Sequence, residues 1–227
     1  MTTDKYDLNP SNDFYRQLLK EHGYTPMALG CKGKQFLRFH QLTSDWDLNC
    51  SSILDVGCGF GDFNKYLDFL KLKDCRYTGI EVVKEFFEEA CKRYPGKSIR
   101  FCNQDFLGKA DLGQFDYVFA SGTFNLRIEG IDEYEYVFKN MKKMFSHANK
   151  AIAIDFLSDK VDYRNPWNFN FSPEKILALG YQLSRNVILR NNYFPFEFSI
   201  IIHKDDSFRK ETTIFTAVEE KLKWLGI

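Results

Sequence analysis

The residues with the densest chemical meaning are Asp55-Val56-Gly57-Cys58-Gly59-Phe60-Gly61-Asp62. They follow a short apolar run, Ser52-Ile53-Leu54, and precede a helical stripe, so they read as a strand-to-helix turn. Glycines in such a turn let backbone amides come close to a ligand. Two cofactor classes use this kind of turn. The dinucleotide fingerprint, Gly-x-Gly-x-x-Gly, needs its last glycine for helix packing. Here that position is Asp62, and the third glycine, Gly61, falls one residue early. Three further chemistry-bearing segments follow expected strands: Glu81 after Tyr77-Thr78-Gly79-Ile80, Asn103-Gln104-Asp105-Phe106 after Ser98-Ile99-Arg100-Phe101-Cys102, and Ser121-Gly122-Thr123-Phe124-Asn125 after Phe115–Ala120.

Gly-x-Gly-x-Gly behind an acidic residue resembles motif I of the class I S-adenosylmethionine (SAM)-dependent methyltransferases. The resemblance implies SAM as cofactor and S-adenosylhomocysteine as product. It places Asp55, Gly57, Cys58, Gly59, Phe60 and Gly61 against the cofactor. Glu81, with Val82 beside it, would accept both ribose hydroxyls, since a carboxylate offers two acceptor oxygens. Asp105, with Gln104, would receive the adenine amino group, and Phe106 would cover the ring. Ser121 and Gly122 occupy the motif IV position beside the methyl group, with Thr123, Phe124 and Asn125 toward the acceptor. Gln35-Phe36-Leu37-Arg38-Phe39 matches a Gln-x-x-Arg-Phe pattern of small bacterial members, and Arg38 suits the carboxylate of the methionine moiety. The resemblance covers roughly residues 34–203.

Methyl transfer from a sulfonium is an in-line displacement, so the protein mainly supplies proximity, alignment and a dry cavity. A general base is needed only where the acceptor enters protonated. His40, on a helix that in this fold tends to cover the site, is the candidate; Asp155, Tyr193 and Glu197 are weaker ones. Arg127 suits an anionic acceptor. Tyr163 and Trp167 follow the fifth strand, and ligands sit beyond the carboxyl ends of strands, so both are expected to wall the acceptor pocket. Motif IV lacks the Asn/Asp-Pro-Pro-Tyr/Phe of many nucleic-acid amino-methyltransferases. The implied reaction is methylation at O or N of a small-molecule or saccharide-linked acceptor, a phosphorylated or phosphoramidate group of a surface polysaccharide being one form. The alternatives are an RNA or protein methyltransferase and a non-catalytic SAM-fold partner subunit.

Composition narrows the field. The 227 residues hold 31 Lys plus Arg and 31 Asp plus Glu, a net charge of zero that gives no field to steer a polyanion. Aromatics at 17% exclude a disordered chain. Six cysteines form no Cys-x-x-Cys pair, so no metal site is expected and the thiols read as reduced. No stretch approaches a membrane span or a secretory leader, and the expected compartment is the cytoplasm. A monomer or homodimer is expected. Phe60, Phe106, Phe124, Tyr163 and Trp167 are the aromatics expected around a ligand.

These residues need a scaffold. Helices are expected over 11–21, with Ser11 as N-cap, and over 34–43, 62–71, 83–94, 131–145 and 214–225, with a short one opened by Ser172-Pro173. Strands are expected over 52–56, 75–80, 98–102, 115–120 and 150–155, then 181–189 and 195–203 as an antiparallel pair. Phe196, Phe198, Ile200 and Ile202 alternate with Glu197, Ser199 and His203, which reads as one apolar and one polar face, though Ile201 breaks the polar one. The expected architecture is α/β: a Rossmann-like, doubly wound, seven-stranded, mostly parallel sheet with an antiparallel C-terminal strand. Residues 1–46 are expected as an N-terminal helical extension or lid, 47–205 as the catalytic domain and 206–227 as a helical tail.

Overall fold

The computed structural model describes residues 7–30, 34–108, 112–208 and 211–226. Cys31 and most of the basic run 31–34 lie outside them. The chain alternates helix and strand: α1 (Asn9–His22), a 3-10 turn (Pro26–Leu29), α2 (Gln35–Thr43), β1 (Ser52–Val56), α3 (Asp62–Phe69), β2 (Arg76–Glu81) and α4 (Lys84–Arg93). Then come β3 (Ile99–Asn103), β4 (Phe115–Ala120), α5 (Glu133–His147), β5 (Ala148–Leu157), α6 (Pro173–Tyr181), β6 (Val187–Arg190), β7 (Glu197–His203) and α7 (Thr216–Trp224). The seven strands form one sheet in the order β3-β2-β1-β4-β5-β7-β6. Strands β1 to β5 pair in parallel, and β7 runs antiparallel to both β5 and β6. The order reverses between β1 and β4, which opens a crevice at their carboxyl ends.

Both faces of the sheet are covered. On one, Leu54, Val118, Ile152, Ile154, Phe156 and Ile200 pack with Val137, Met141 and Met144 of α5 and Ile176 of α6. On the other, Ile53, Tyr77, Phe119, Ala153 and Ile201 pack with Phe39 and Leu42 of α2 and Phe63, Tyr66 and Leu67 of α3. A third, smaller cluster of Ala28, Phe60, Val83 and Phe86 ties the N-terminal segment to α4.

Three local expectations change. Ser11 is not an N-cap: α1 starts at Asn9 behind Leu8, with Pro10 supplying the fixed φ of a first turn, so Ser11 lies inside the helix. Residues 181–189 are not one strand. The cap of α6 forms as expected, with Ser172 Oγ accepting from the Lys175 amide, but the helix continues to Tyr181 and only Val187–Arg190 pairs. Gly180 allows this, since a Cβ there would sit 2.7 Å from Ile200 Cδ1. Finally, β7 has no solvated face. It lies between β5 and β6, and Glu197 and Ser199 are buried under α2.

Phe156 stacks on Phe124 and Phe198 and packs against Phe171, all four of them buried. Truncating it leaves a cavity that these rings cannot fill. Phe156→Ala is expected to cost about 3–5 kcal/mol in urea unfolding and Phe156→Leu under about 2 kcal/mol. A loss below about 1 kcal/mol for the alanine variant would place the core elsewhere.

Candidate active site

The turn after β1 is built by backbone geometry. The Gly57 and Cys58 amides both donate to the Ile80 carbonyl, at 2.8 and 3.0 Å, pinning the turn to the end of β2. Gly57 has φ +72°, and a Cβ there would meet Thr123 Cγ2 at 2.6 Å. Gly61 has φ +76°, and a Cβ there would meet the Phe101 ring at 2.9 Å. Both positions therefore require glycine on two counts. Glu81 closes the arrangement: Oε2 accepts from the Gly59 amide at 2.9 Å and Oε1 from the Val83 amide at 2.8 Å. Its burial pushes the carboxyl pKa up, against those two hydrogen bonds. Asp55 accepts from the Tyr77 hydroxyl at 2.7 Å. Burial pushes its pKa up to about 7, and repulsion from Glu81 and Asp155 adds to the shift.

The turn after β4 is held from the neighbouring strand. Asp155, buried near the end of β5, accepts from Ser121 Oγ at 2.5 Å and from the Gly122 amide at 2.7 Å. Thr123 Oγ1 donates to the Val56 carbonyl at 2.8 Å, joining the two glycine-bearing turns. Arg38, from α2, lies beside this turn and makes a two-pronged ion pair with Glu197 of β7, Nε to Oε2 at 2.8 Å and Nη2 to Oε1. Burial pushes both Asp155 and Glu197 up, and Arg38 pulls both the other way.

A cavity of about 1150 Å³, measured out to open solvent, lies over these turns. Its lining divides in two. Asp55, Gly57, Cys58, Gly59, Glu81 and Val82 form one side, at the ends of β1 and β2. Ser121, Gly122, Thr123, Phe124, Leu126, Ile128, Phe171 and the first turns of α5 form the other, at the ends of β4 and β5. Leu8, Ser11, Asn12 and Tyr15 of the α1 segment and Gln35, Arg38 and Phe39 of α2 complete the wall. Residues 1–46 are expected as an extension or lid, but no residue of α1 or α5 is expected at the site from sequence. The available signal was spacing: Ser11 and Tyr15, and Glu133, Tyr136 and Val137, share one helix face each.

Several expected residues lie outside the lining. His40 sits two residues beyond Arg38, roughly 200° around the helix, so its exposed ring points away from the cavity, with Nδ1 3.4 Å from the Tyr66 hydroxyl. It is not placed to act as a base. Phe60 is fully buried between Tyr24 and Phe86, with the Arg93 guanidinium 4.6 Å from its ring centre; it fastens the N-terminal segment instead of meeting a ligand. The Gln104 amide donates to the Glu81 carbonyl, and Asp105 Oδ1 accepts from the Leu107 amide at 3.0 Å, an Asx turn. Phe106 is buried under Lys143. Asn125 Oδ1 accepts from the Leu157 amide, a strand-end brace. Arg127 faces Glu133 at 3.8 Å and lies over the Phe169 ring. Tyr163 and Trp167 are 79% and 58% exposed and lie outside the lining, although the Trp167 carbonyl accepts from the Arg127 amide and so holds their loop to the segment after β4. Tyr193, considered as a base, has a buried hydroxyl whose pKa burial drives up, the wrong direction for that role.

Comparison with known proteins finds the same domain and fold elsewhere. Residues 54–153 match the model of a methyltransferase domain. A Mycobacterium tuberculosis protein, Rv1506c, provisionally named a methyltransferase, is 28% identical over 159 residues, spanning 67% of this chain and 93% of its own. The fold is similar to magnesium protoporphyrin IX methyltransferase from Synechocystis, solved with bound S-adenosylhomocysteine, at TM-score 0.61 and 13% identity over 86% of this chain and 94% of that one. It is also similar to a SAM-dependent methyltransferase from Aquifex aeolicus, at TM-score 0.57 and 15% identity over 79% of this chain and 98% of that one. The residues present fit the SAM or S-adenosylhomocysteine named for the two solved structures: glycines where a Cβ would clash, a buried carboxylate at Glu81 and a cavity whose acidic lining suits a cation. The segment that matches the methyltransferase domain contains both the glycine turn and Glu81.

Proposed function

We propose that this enzyme methylates an oxygen or nitrogen of a small molecule, or of the terminal group of a saccharide-linked acceptor, enclosed between the β4–β5 ends and the α1–α2 wall. The observation that carries the reading is that wall: Tyr15 of α1 and Gln35, Arg38 and Phe39 of α2 line the same cavity as the glycine turn. A helix pair over the site excludes water and favours an acceptor small enough to fit beneath it. Bound SAM supplies a methyl group already activated on a sulfonium. The chain's own residues then have limited tasks. Gly57, Gly59 and Glu81 hold the cofactor, Asp55 offers charge to a cation, and Phe124 and Phe171 present an apolar wall to the acceptor. The balanced net charge supports this reading over an RNA substrate. Among the described residues no helix is long and apolar enough to cross a membrane.

Incubating the protein with SAM and a panel of small hydroxyl and amine acceptors, free sugars and amino sugars among them, is expected to release S-adenosylhomocysteine and add one methyl group to an acceptor. Turnover confined to RNA or protein substrates would contradict the proposal.

The Asp55 environment adds a pH dependence. A carboxyl raised to about 7 in the fold favours the folded apo-protein while protonated, and that contribution is lost as pH rises through about 7. A net cationic cofactor favours the ionised form. Affinity for SAM is therefore expected to rise about tenfold from pH 6 to pH 8, and Asp55→Asn should flatten the profile. Calorimetry across that range checks it; an affinity that falls with rising pH would place the titrating group elsewhere.

A further inference from the structure

The charged groups of the cavity are unevenly matched. Among the described residues that line it, Asp55, Asp62, Glu81 and Glu133 are acidic and Arg38 is the cation. Arg38 is neutralised from behind by the buried Glu197, with Asp155 also near it. On the cofactor side the carboxylates have structural partners: Asp55 has Tyr77, Asp62 has Arg93 at 3.6 Å, and Glu81 has two backbone amides. Glu133 is different. It lies on the acceptor side, in the first turn of α5, on the helix face of Tyr136 and Val137. Its side chain is 15% exposed, and its ion-pair partner is Arg127, itself 55% exposed, across a long 3.8 Å. Around it the acceptor side is apolar: Phe124, Leu126, Ile128 and Phe171.

We infer that Glu133 is the specificity residue of the acceptor side and that the acceptor carries an ammonium or other cationic nitrogen group, held by this carboxylate against an apolar, partly aromatic wall. This deepens the small-molecule reading above and rests on it. A largely enclosed carboxylate beside apolar walls gains most from a charged donor, since such hydrogen bonds are stronger than neutral ones and less screened there. A phosphate or carboxylate acceptor would meet Glu133 with no unengaged cation to offset it: Arg38 is committed to Glu197, and Arg127 faces Glu133 while resting on Phe169. The phosphorylated acceptor considered from sequence is therefore disfavoured by charge. The cationic group need not be the atom that receives the methyl; Glu133 orients the molecule and its reactive atom faces the motif IV turn.

The test uses the full chain saturated with S-adenosylhomocysteine, with phenethylamine, phenylacetate and 2-phenylethanol as probes of one skeleton and three charges, read by ligand-observed NMR. Phenethylamine is expected to bind roughly tenfold or more tighter than phenylacetate, with the alcohol between them. Glu133→Gln should erase that order without changing the affinity for S-adenosylhomocysteine, Glu133→Asp should restore part of it, and Arg127→Gln should strengthen it. Equal binding, tighter phenylacetate, no binding by any probe, or an order that survives in Glu133→Gln would overturn the inference. Failure to bind S-adenosylhomocysteine in the same folded sample would instead count against the methyltransferase reading itself.

Discussion

The structure depends first on one buried carboxylate. Glu81 ends β2, and its two oxygens accept from amides on either side, Gly59 of the glycine turn and Val83 at the start of α4. A buried carboxylate is costly unless its oxygens are engaged. Engaging them fixes the turn after β1 relative to the turn after β2. The positive φ values at Gly57 and Gly61 and the close approach of Thr123 and Phe101 then follow from how tightly those turns pack. The same carboxylate faces the cavity, so the group that shapes the turn is also the one proposed to meet the cofactor.

A second charge arrangement governs the acceptor side. Arg38 crosses from α2 to Glu197 on β7, and Asp155 grips Ser121 and Gly122. Breaking a buried ion pair by removing one member is costly, about 3–5 kcal/mol, so α2 is held against the sheet at β7. The consequence is functional as well as structural. Arg38 is already paired with Glu197, and Glu133 is the carboxylate proposed to face the acceptor.

Much of the fold was legible in sequence because its signals are local. The Gly57-x-Gly59-x-Gly61 spacing, the apolar runs of β1, β2 and β4 and the Ser172-Pro173 cap depend on neighbours in the chain. What failed depends on distant partners. Phe60 and Phe106 stand at strand ends, yet which way a ring turns is decided by Tyr24 and Phe86 in one case and α5 in the other. Glu197 and Ser199 look like a polar strand face, and only the insertion of β7 between β5 and β6, beneath α2, buries them. His40 and Arg38 share a helix but not a face, and the register of α2 against the sheet was not readable from ten residues. Tyr163 and Trp167 sit on a loop in the expected place, but their side chains are exposed.

The central claim is that the glycine turn and Glu81 together make one SAM site. Calorimetric titration of S-adenosylhomocysteine into the folded protein tests it most directly. The account requires one site per chain and a loss of roughly tenfold or more in affinity for Glu81→Gln, with the folded state preserved. Absence of binding in the folded wild-type protein, or full affinity in the Glu81→Gln variant, would contradict it.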